Sequence, residues 1–115
     1  MRVYFRIGIY EGEKRLSKVE LMSGKDPLSI GMRYVLEFKY LEASKWLMLA
    51  EDCWEKYALL ALVNLALGQK HQATDFWQEA YKYPRKTSYT FFVEKPEEGK
   101  RFVIERTANA LPDFL

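Results

Sequence analysis

The sequence predicts an α+β fold in which four helices, arranged as two helical hairpins, are flanked by a β-hairpin on each side. Three observations predict it. Apolar and polar residues alternate near the start of the chain, the stretch 28–67 contains no proline and a single glycine, and aromatic and β-branched residues return after residue 87. We expect the two β-hairpins to pair in one antiparallel sheet.

A chain of 115 residues fits one domain. Within it we expect the first β-hairpin at 1–24, the helical hairpins at 27–84, the second β-hairpin at 87–107 and a short tail at 108–115. The tail contains Leu111, Phe114 and Leu115, so we expect it to dock on the domain.

The first β-hairpin is predicted from period-two alternation. The apolar phase of its first strand consists of Val3, Phe5, Ile7 and Ile9. Residues 11–14 supply a turn, and 16–22 are expected to return as the second strand, with Val19 and Leu21 on one face.

Four helices are predicted near 27–38, 40–52, 54–67 and 70–82. Asp26 and Pro27 form an N-cap followed by a first-turn proline. Asp52 and Glu55 have the spacing of a capping box, which indicates a new helix start. Gly68 is expected to end the third helix and Pro84 to stop the fourth. The second β-hairpin is then predicted at 88–94 and 101–107, around a turn at 96–99.

Composition narrows the classes of function. The net charge is +2, which argues against a general polyanion binder, and the aromatic content of 16% suggests an interaction surface. The single cysteine, Cys53, excludes an internal disulfide and fits a reducing compartment. No apolar run is long enough to span a membrane, and Arg2, Arg6 and Glu11 interrupt any signal-like core. The expected location is the cytoplasm, without membrane association.

A pattern of small and large apolar residues occurs twice, thirty residues apart. The first copy is Ile30, Gly31, Tyr34, Ala43, Leu47 and Ala50; the second is Leu60, Ala61, Asn64, Ala73, Trp77 and Ala80. With Tyr57 at the consensus tryptophan, residues 27–84 resemble two tetratricopeptide repeats. The interval is shorter than that family's thirty-four residues, and a stable stack usually has at least three repeats. The small residues are expected to let the helices approach closely.

The resemblance implies a ligand groove lined by the first helix of each repeat. The corresponding positions are Leu28, Met32, Val35, Leu36, Ala58, Leu62, Leu65 and Ala66. Family members that clamp a peptide carboxylate use lysine and asparagine, whereas this chain has Leu28, Met32 and Leu59. Two interpretations remain. Either the sheet covers this apolar surface and makes it core, which the pattern favours, or the surface binds a partner helix or a second copy through Met32, Val35, Leu36, Leu62 and Leu65.

No catalytic, metal-binding or cofactor-binding motif is found in the sequence. His71 is expected to be a solvated surface residue, and Cys53 a small buried hydrophobe. Capping explains the acidic cluster around Asp52 without catalysis. The predicted function is therefore a small non-catalytic interaction module that binds another protein or itself, the latter as a homo-oligomer.

The segment 81–92 suggests an alternative function. It interleaves rings with positive charge, and its candidate nucleic-acid-binding residues are Tyr83, Arg85, Lys86 and Tyr89. The other interpretation, which we favour, is a junction between helix and strand whose cations interact with the helix dipole. Nucleic-acid binding is thus the second hypothesis.

Overall fold

The computed structural model describes residues 5–105, which form an antiparallel sheet of four strands and five α-helices. The α+β prediction is confirmed. In chain order the elements are β1 Arg6–Glu11, β2 Lys14–Arg15, α1 Lys18–Leu21, α2 Pro27–Leu36, α3 Tyr40–Leu49, α4 Trp54–Ala66, α5 Lys70–Ala80, β3 Tyr89–Lys95 and β4 Lys100–Ile104.

The two β-hairpins pair in one sheet of order β2-β1-β3-β4, as predicted. The central pair is antiparallel, and its register places Ile7 opposite Val93 and Ile9 opposite Phe91. These four side chains are buried. Since side chains alternate across a strand, the next residues along β1 and β3 lie on the opposite, outer face of the sheet.

The first β-hairpin is shorter than predicted. Its second strand comprises only Lys14–Arg15, and the expected strand at 16–22 is wrong because α1 begins at Lys18. Ser17 directs this change: Glu20 accepts hydrogen bonds from the Ser17 backbone N–H at 3.4 Å and from its hydroxyl at 3.2 Å. The Ser-x-x-Glu spacing is a helix-start signal that outweighs the apolar alternation of the segment.

The later helices end one to three residues earlier than predicted. Asp26 caps α2 by accepting hydrogen bonds from the Ser29 N–H at 3.0 Å and hydroxyl at 2.7 Å. Burial by itself would raise the pKa of Asp26, but these bonds outweigh it and lower the pKa. Helix α5 ends at Ala80, well before Pro84. Strand β4 ends at Ile104; the rest of its predicted span (106–107), Val3 and the tail at 108–115 lie outside the described residues.

The predicted capping box at the start of α4 does not form. Cys53 occupies the N-cap position and its side chain caps no backbone group. Asp52 instead accepts hydrogen bonds from Lys56 at 3.3 Å and Tyr57 at 2.7 Å. Glu55 points away from Asp52 and binds residues 86–87. The helix start is therefore as predicted, but the contacts that secure it are different.

The thirty-residue repeat is visible in the turns that join the paired helices. The Lys39 N–H donates to the Tyr34 carbonyl at 3.0 Å, and the Gln69 N–H donates to the Asn64 carbonyl at 2.8 Å. Both turns have the hydrogen bonds of a Schellman motif, which requires one residue with positive φ. Phe38 supplies it in the first turn, with φ of 63°, and Gly68 in the second, with φ of 82°.

Phe38→Gly is expected to give a more stable protein than Phe38→Ala, by about 1 kcal/mol, because only glycine adopts positive φ without steric cost. Both variants lose the same ring, which is half exposed and lies near Arg6 and Tyr40. Urea denaturation of the two variants measures the difference directly. Equal stability of the two would show that the turn carries no backbone strain.

One buried cluster joins the sheet to the helices. The Phe91 ring of β3 stacks on Trp54 of α4, with ring centroids 5.8 Å apart and planes 9° apart. The small residues Ala43, Ala61 and Ala73 are completely buried, and Gly31 is buried as well. This agrees with their predicted role in close helix packing. The resemblance to tetratricopeptide repeats as a family stays a prediction.

The predicted partner-binding groove is part of this core. Met32, Val35, Leu62 and Leu65 are buried, and Leu36 is half buried and packs against the cluster. The interpretation of these residues as an open surface therefore needs correction. The sheet supplies apolar side chains to the same cluster, so burial of this helical face stabilises the fold.

Candidate binding face of the sheet

The outer face of the sheet carries an aromatic and arginine cluster. Tyr10 of β1 and Phe92 of β3 are diagonal neighbours, and their ring centroids lie 4.5 Å apart. The Arg101 guanidinium of β4 covers both rings, with its Cζ atom 4.1 Å from the Phe92 centroid and 4.8 Å from the Tyr10 centroid. Arg15 of β2 lies 6.0 Å from the Tyr10 centroid. We call Tyr10, Arg15, Phe92, Glu94 and Arg101 the outer-face cluster.

A single carboxylate holds the two arginines of the outer-face cluster. Arg15 Nη1 lies 2.8 Å from Glu94 Oε1, and Arg101 Nε lies 3.9 Å from the same oxygen. The side chains of Arg15 and Arg101 are 49% and 46% exposed, whereas Glu94 is 17% exposed. The cluster thus carries one net positive charge, and both guanidinium groups remain open to solvent.

Gly8 leaves the space in which Arg15 crosses the sheet. A Cβ atom at this position would lie 3.4 Å from Arg15 Nη2 and 3.5 Å from Glu94 Oε1. Gly8 also stands directly opposite Phe92 in the register. A bulky side chain here would displace the ion pair, so the glycine allows the arginine and the ring to share one surface.

The outer-face cluster is not among the binding residues predicted from the sequence. Its aromatic members occupy the alternate, solvent-facing positions of the strands, whereas the strand prediction rests on the apolar positions that face the core. A usable signal was present: Tyr10 and Phe92 are large rings at positions that the alternation turns toward solvent. Glu94 and Arg15, however, are 79 residues apart in the chain, and only the strand order brings them together.

The segment 81–92 contains the junction between α5 and β3, and its cations already have partners. Arg85 donates to the Tyr89 carbonyl and lies 5.4 Å over the Trp54 ring. The Lys86 amine lies 3.5 Å from a Glu51 carboxylate oxygen. The Tyr83 ring stacks on Tyr57, which itself donates to Asp52. Of the four predicted nucleic-acid-binding residues, Lys86 thus pairs with an acidic side chain, and Arg85 and Tyr83 are engaged in contacts within the protein.

The other candidate residues have structural roles or simple surroundings. The carboxylate of Asp52 raises the pKa of Tyr57 through their hydrogen bond. The buried Lys56 amine donates to the carbonyls of Ala50 and Met48 and so caps the end of α3. His71 is exposed, and burial raises the pKa of the Cys53 thiol. A raised thiol pKa disfavours the thiolate that nucleophilic chemistry needs.

A pocket of about 270 Å³ opens between the start of α2 and the α3–α4 connection. It is lined by Asp26, Pro27, Leu28, Ala50, Glu51, Cys53 and Lys86. Asp26 accepts a hydrogen bond from the Ser29 N–H at the start of α2, and Lys86 pairs with Glu51. The charged groups that line the pocket therefore already have partners within the protein. Among the residues that the structure describes, no group of three or more histidine, cysteine or acidic side chains is placed to hold a metal ion.

Comparisons of the chain with protein-family models, with curated proteins and with solved structures found no match. Over residues 5–105, no helix has the length and apolar character needed to cross a lipid bilayer.

Proposed function

We propose that the protein is a small non-catalytic interaction module that binds its partner with the outer face of the sheet. The observation that carries this proposal is the outer-face cluster, in which two rings and two half-exposed guanidinium groups share one surface. Aromatic residues and arginine are the side chains enriched at interaction surfaces. The other surface considered, the apolar face of the helices, is buried in the core.

A binding role also suits the chemistry of the site. Glu94 pairs with both arginines, so the charged groups of the cluster hold one another in fixed positions on the sheet. Arginine remains protonated and cannot act as a base at neutral pH. The cluster is thus suited to recognition by stacking and charge. We place the protein in the cytoplasm, in keeping with its single reduced cysteine.

Self-association is the second candidate. Leu41, Met48 and Leu49 are exposed large apolar residues on or near one side of α3. An exposed apolar stripe is the kind of surface through which a second copy of the chain could bind. Light scattering of the purified protein distinguishes a monomer from a dimer.

The proposed function is tested by a pull-down from native cell extract, with and without nuclease treatment. Three baits are compared: the wild-type protein, the double variant Arg15→Gln/Arg101→Gln, and the control Lys45→Gln/Lys70→Gln. The control removes the same charge from exposed lysines on the helical layer. We expect the same bound components with the wild type and the control, and their loss with the arginine variant. Equal capture by all three baits would place binding elsewhere and overturn the proposal.

A further inference from the structure

We propose that the ligand of the outer face is single-stranded nucleic acid, a step that rests on the proposed function. The stacked arrangement of Arg101 on Phe92 and Tyr10 is its starting point. Both the aromatic ring and the guanidinium group are flat, and nucleobases stack on either of them. The outer-face cluster therefore offers a ready stacking platform at the middle of the sheet.

Charge complementarity points to the same ligand. Arg15 donates to Glu94 from Nη1 at 2.8 Å and from Nη2 at 3.5 Å, whereas Arg101 approaches the same carboxylate only through Nε, at 3.9 Å, so the two Nη groups of Arg101 are available to a ligand. A guanidinium fork matches the oxygens of a phosphate group and can bind it with two parallel hydrogen bonds. A single strand of nucleic acid supplies bases and phosphates side by side, as this surface requires.

The shape of the face favours a single strand over a duplex. The bases of a duplex are stacked on each other inside the helix, so their flat faces cannot stack on the Arg101 guanidinium. In a single strand the bases are free to unstack and lie on a sheet. The four strands span about 14 Å, from three gaps of about 4.8 Å each, which suits a segment of a few nucleotides.

An acidic peptide is the competing ligand. It would pair with Arg15 and Arg101 but has no flat group to stack on the Arg101 guanidinium, which covers the two rings. The outer-face cluster places Arg101 directly on the two rings, so its charge and its flat face act on the same ligand. This geometry favours a nucleic acid, and the peptide becomes an outcome of the test.

Fluorescence anisotropy of labelled 12-nucleotide oligo(U) and oligo(dT) tests the proposal at low and moderate salt. We expect binding to both, stronger than to a duplex of equal length. Arg15→Gln/Arg101→Gln should weaken binding at least tenfold and reduce the salt dependence, whereas Lys45→Gln/Lys70→Gln should change it little. Phe92→Leu should weaken binding about two- to fivefold, because it removes the ring that holds the Arg101 guanidinium in its stacking position. Far-ultraviolet circular dichroism verifies folding, and if Phe92→Leu unfolds, the exposed arginine variant decides the result.

The outcomes separate this inference from the proposed function. Failure of the wild-type protein to bind either oligonucleotide, equal weakening by the arginine and lysine pairs, or equally tight duplex binding would overturn the inference. A labelled acidic peptide, oligo-glutamate, is titrated in parallel. Binding of this peptide alone, lost in Arg15→Gln/Arg101→Gln, would retain the outer face as a binding surface and reject nucleic acid as its ligand.

Discussion

Glu55→Ala is expected to lower the free energy of unfolding by about 3 kcal/mol, because it removes a buried carboxylate that accepts hydrogen bonds from three partly buried donors. The Glu55 carboxylate is completely buried. It accepts hydrogen bonds from the Lys86 N–H at 3.1 Å, the Thr87 N–H at 2.7 Å and the Thr87 hydroxyl at 2.6 Å. Without the carboxylate, these groups would lose their partners inside the protein.

The position of Glu55 adds to this effect. It lies in the first turn of α4, where a negative charge interacts favourably with the helix dipole. Its partners belong to the connection between α5 and β3, so the carboxylate fixes that connection to the start of another helix. Loss of the anchor should therefore loosen the junction as well as lower global stability, which amide hydrogen exchange at residues 85–88 would report.

The matched control for this prediction is Glu51→Ala. Glu51 lies four residues earlier, is 92% exposed and forms an ion pair of 3.5 Å with the Lys86 amine. Such a surface pair contributes little, so the control should stay within about 0.5 kcal/mol of the wild type. Urea denaturation of both variants measures the contrast. If the two losses were alike, the buried hydrogen bonds of Glu55 would not be important for stability.

Gly31→Ala is expected to destabilise the protein by about 2 kcal/mol, the opposite sign from helix propensity. In an exposed helix interior, alanine is favoured over glycine by about 1 kcal/mol. Here a Cβ atom on Gly31 would lie 2.7 Å from Leu47 Cδ2 and 3.3 Å from the Leu47 backbone nitrogen. Leu47 is completely buried, so it cannot rotate away, and α2 and α3 would have to separate.

A double-mutant cycle tests the cause of this loss. Leu47→Ala alone should cost about 2–5 kcal/mol, as for other buried leucines. The added methyl group of Gly31→Ala should then cost much less, because the closest contacts, those with the Leu47 side chain, are gone and only the 3.3 Å contact with the backbone nitrogen remains. Gly8→Ala is the control, since its Cβ atom would meet neighbours at ordinary contact distances of 3.4 Å or more. Additive losses in the cycle would contradict the steric explanation.

Much of the helical layer could be predicted from the sequence, because its signals are local. Asp26 and Pro27 mark the start of α2, and Gly68 marks the end of α4, through conformational preferences that act within one turn. The missed element, α1, was also signalled locally, by Ser17 and Glu20. The apolar alternation in the same segment, which favoured a strand, was too short to distinguish a strand from a helix.

The binding face could not be predicted in the same way, since its contacts cross the sheet. The partners of Glu94 come from β2 and β4, and Glu55 binds a residue 32 positions later in the chain. Such pairs depend on strand order and register, which no local pattern specifies. The capping-box spacing of Asp52 and Glu55 was misleading for this reason: the two carboxylates had better partners elsewhere.

The strand order has a consequence for the synthesis of the chain. The two central strands, β1 and β3, lie on either side of all five helices in the sequence. During synthesis β1 therefore cannot pair with β3 until the five helices have emerged from the ribosome. Contacts of such long sequence separation form late because they close a large loop. The helical hairpins rest on local contacts and can form earlier. The sheet face is thus the last surface to be assembled, and a chain released before residue 89 has the helices but no platform.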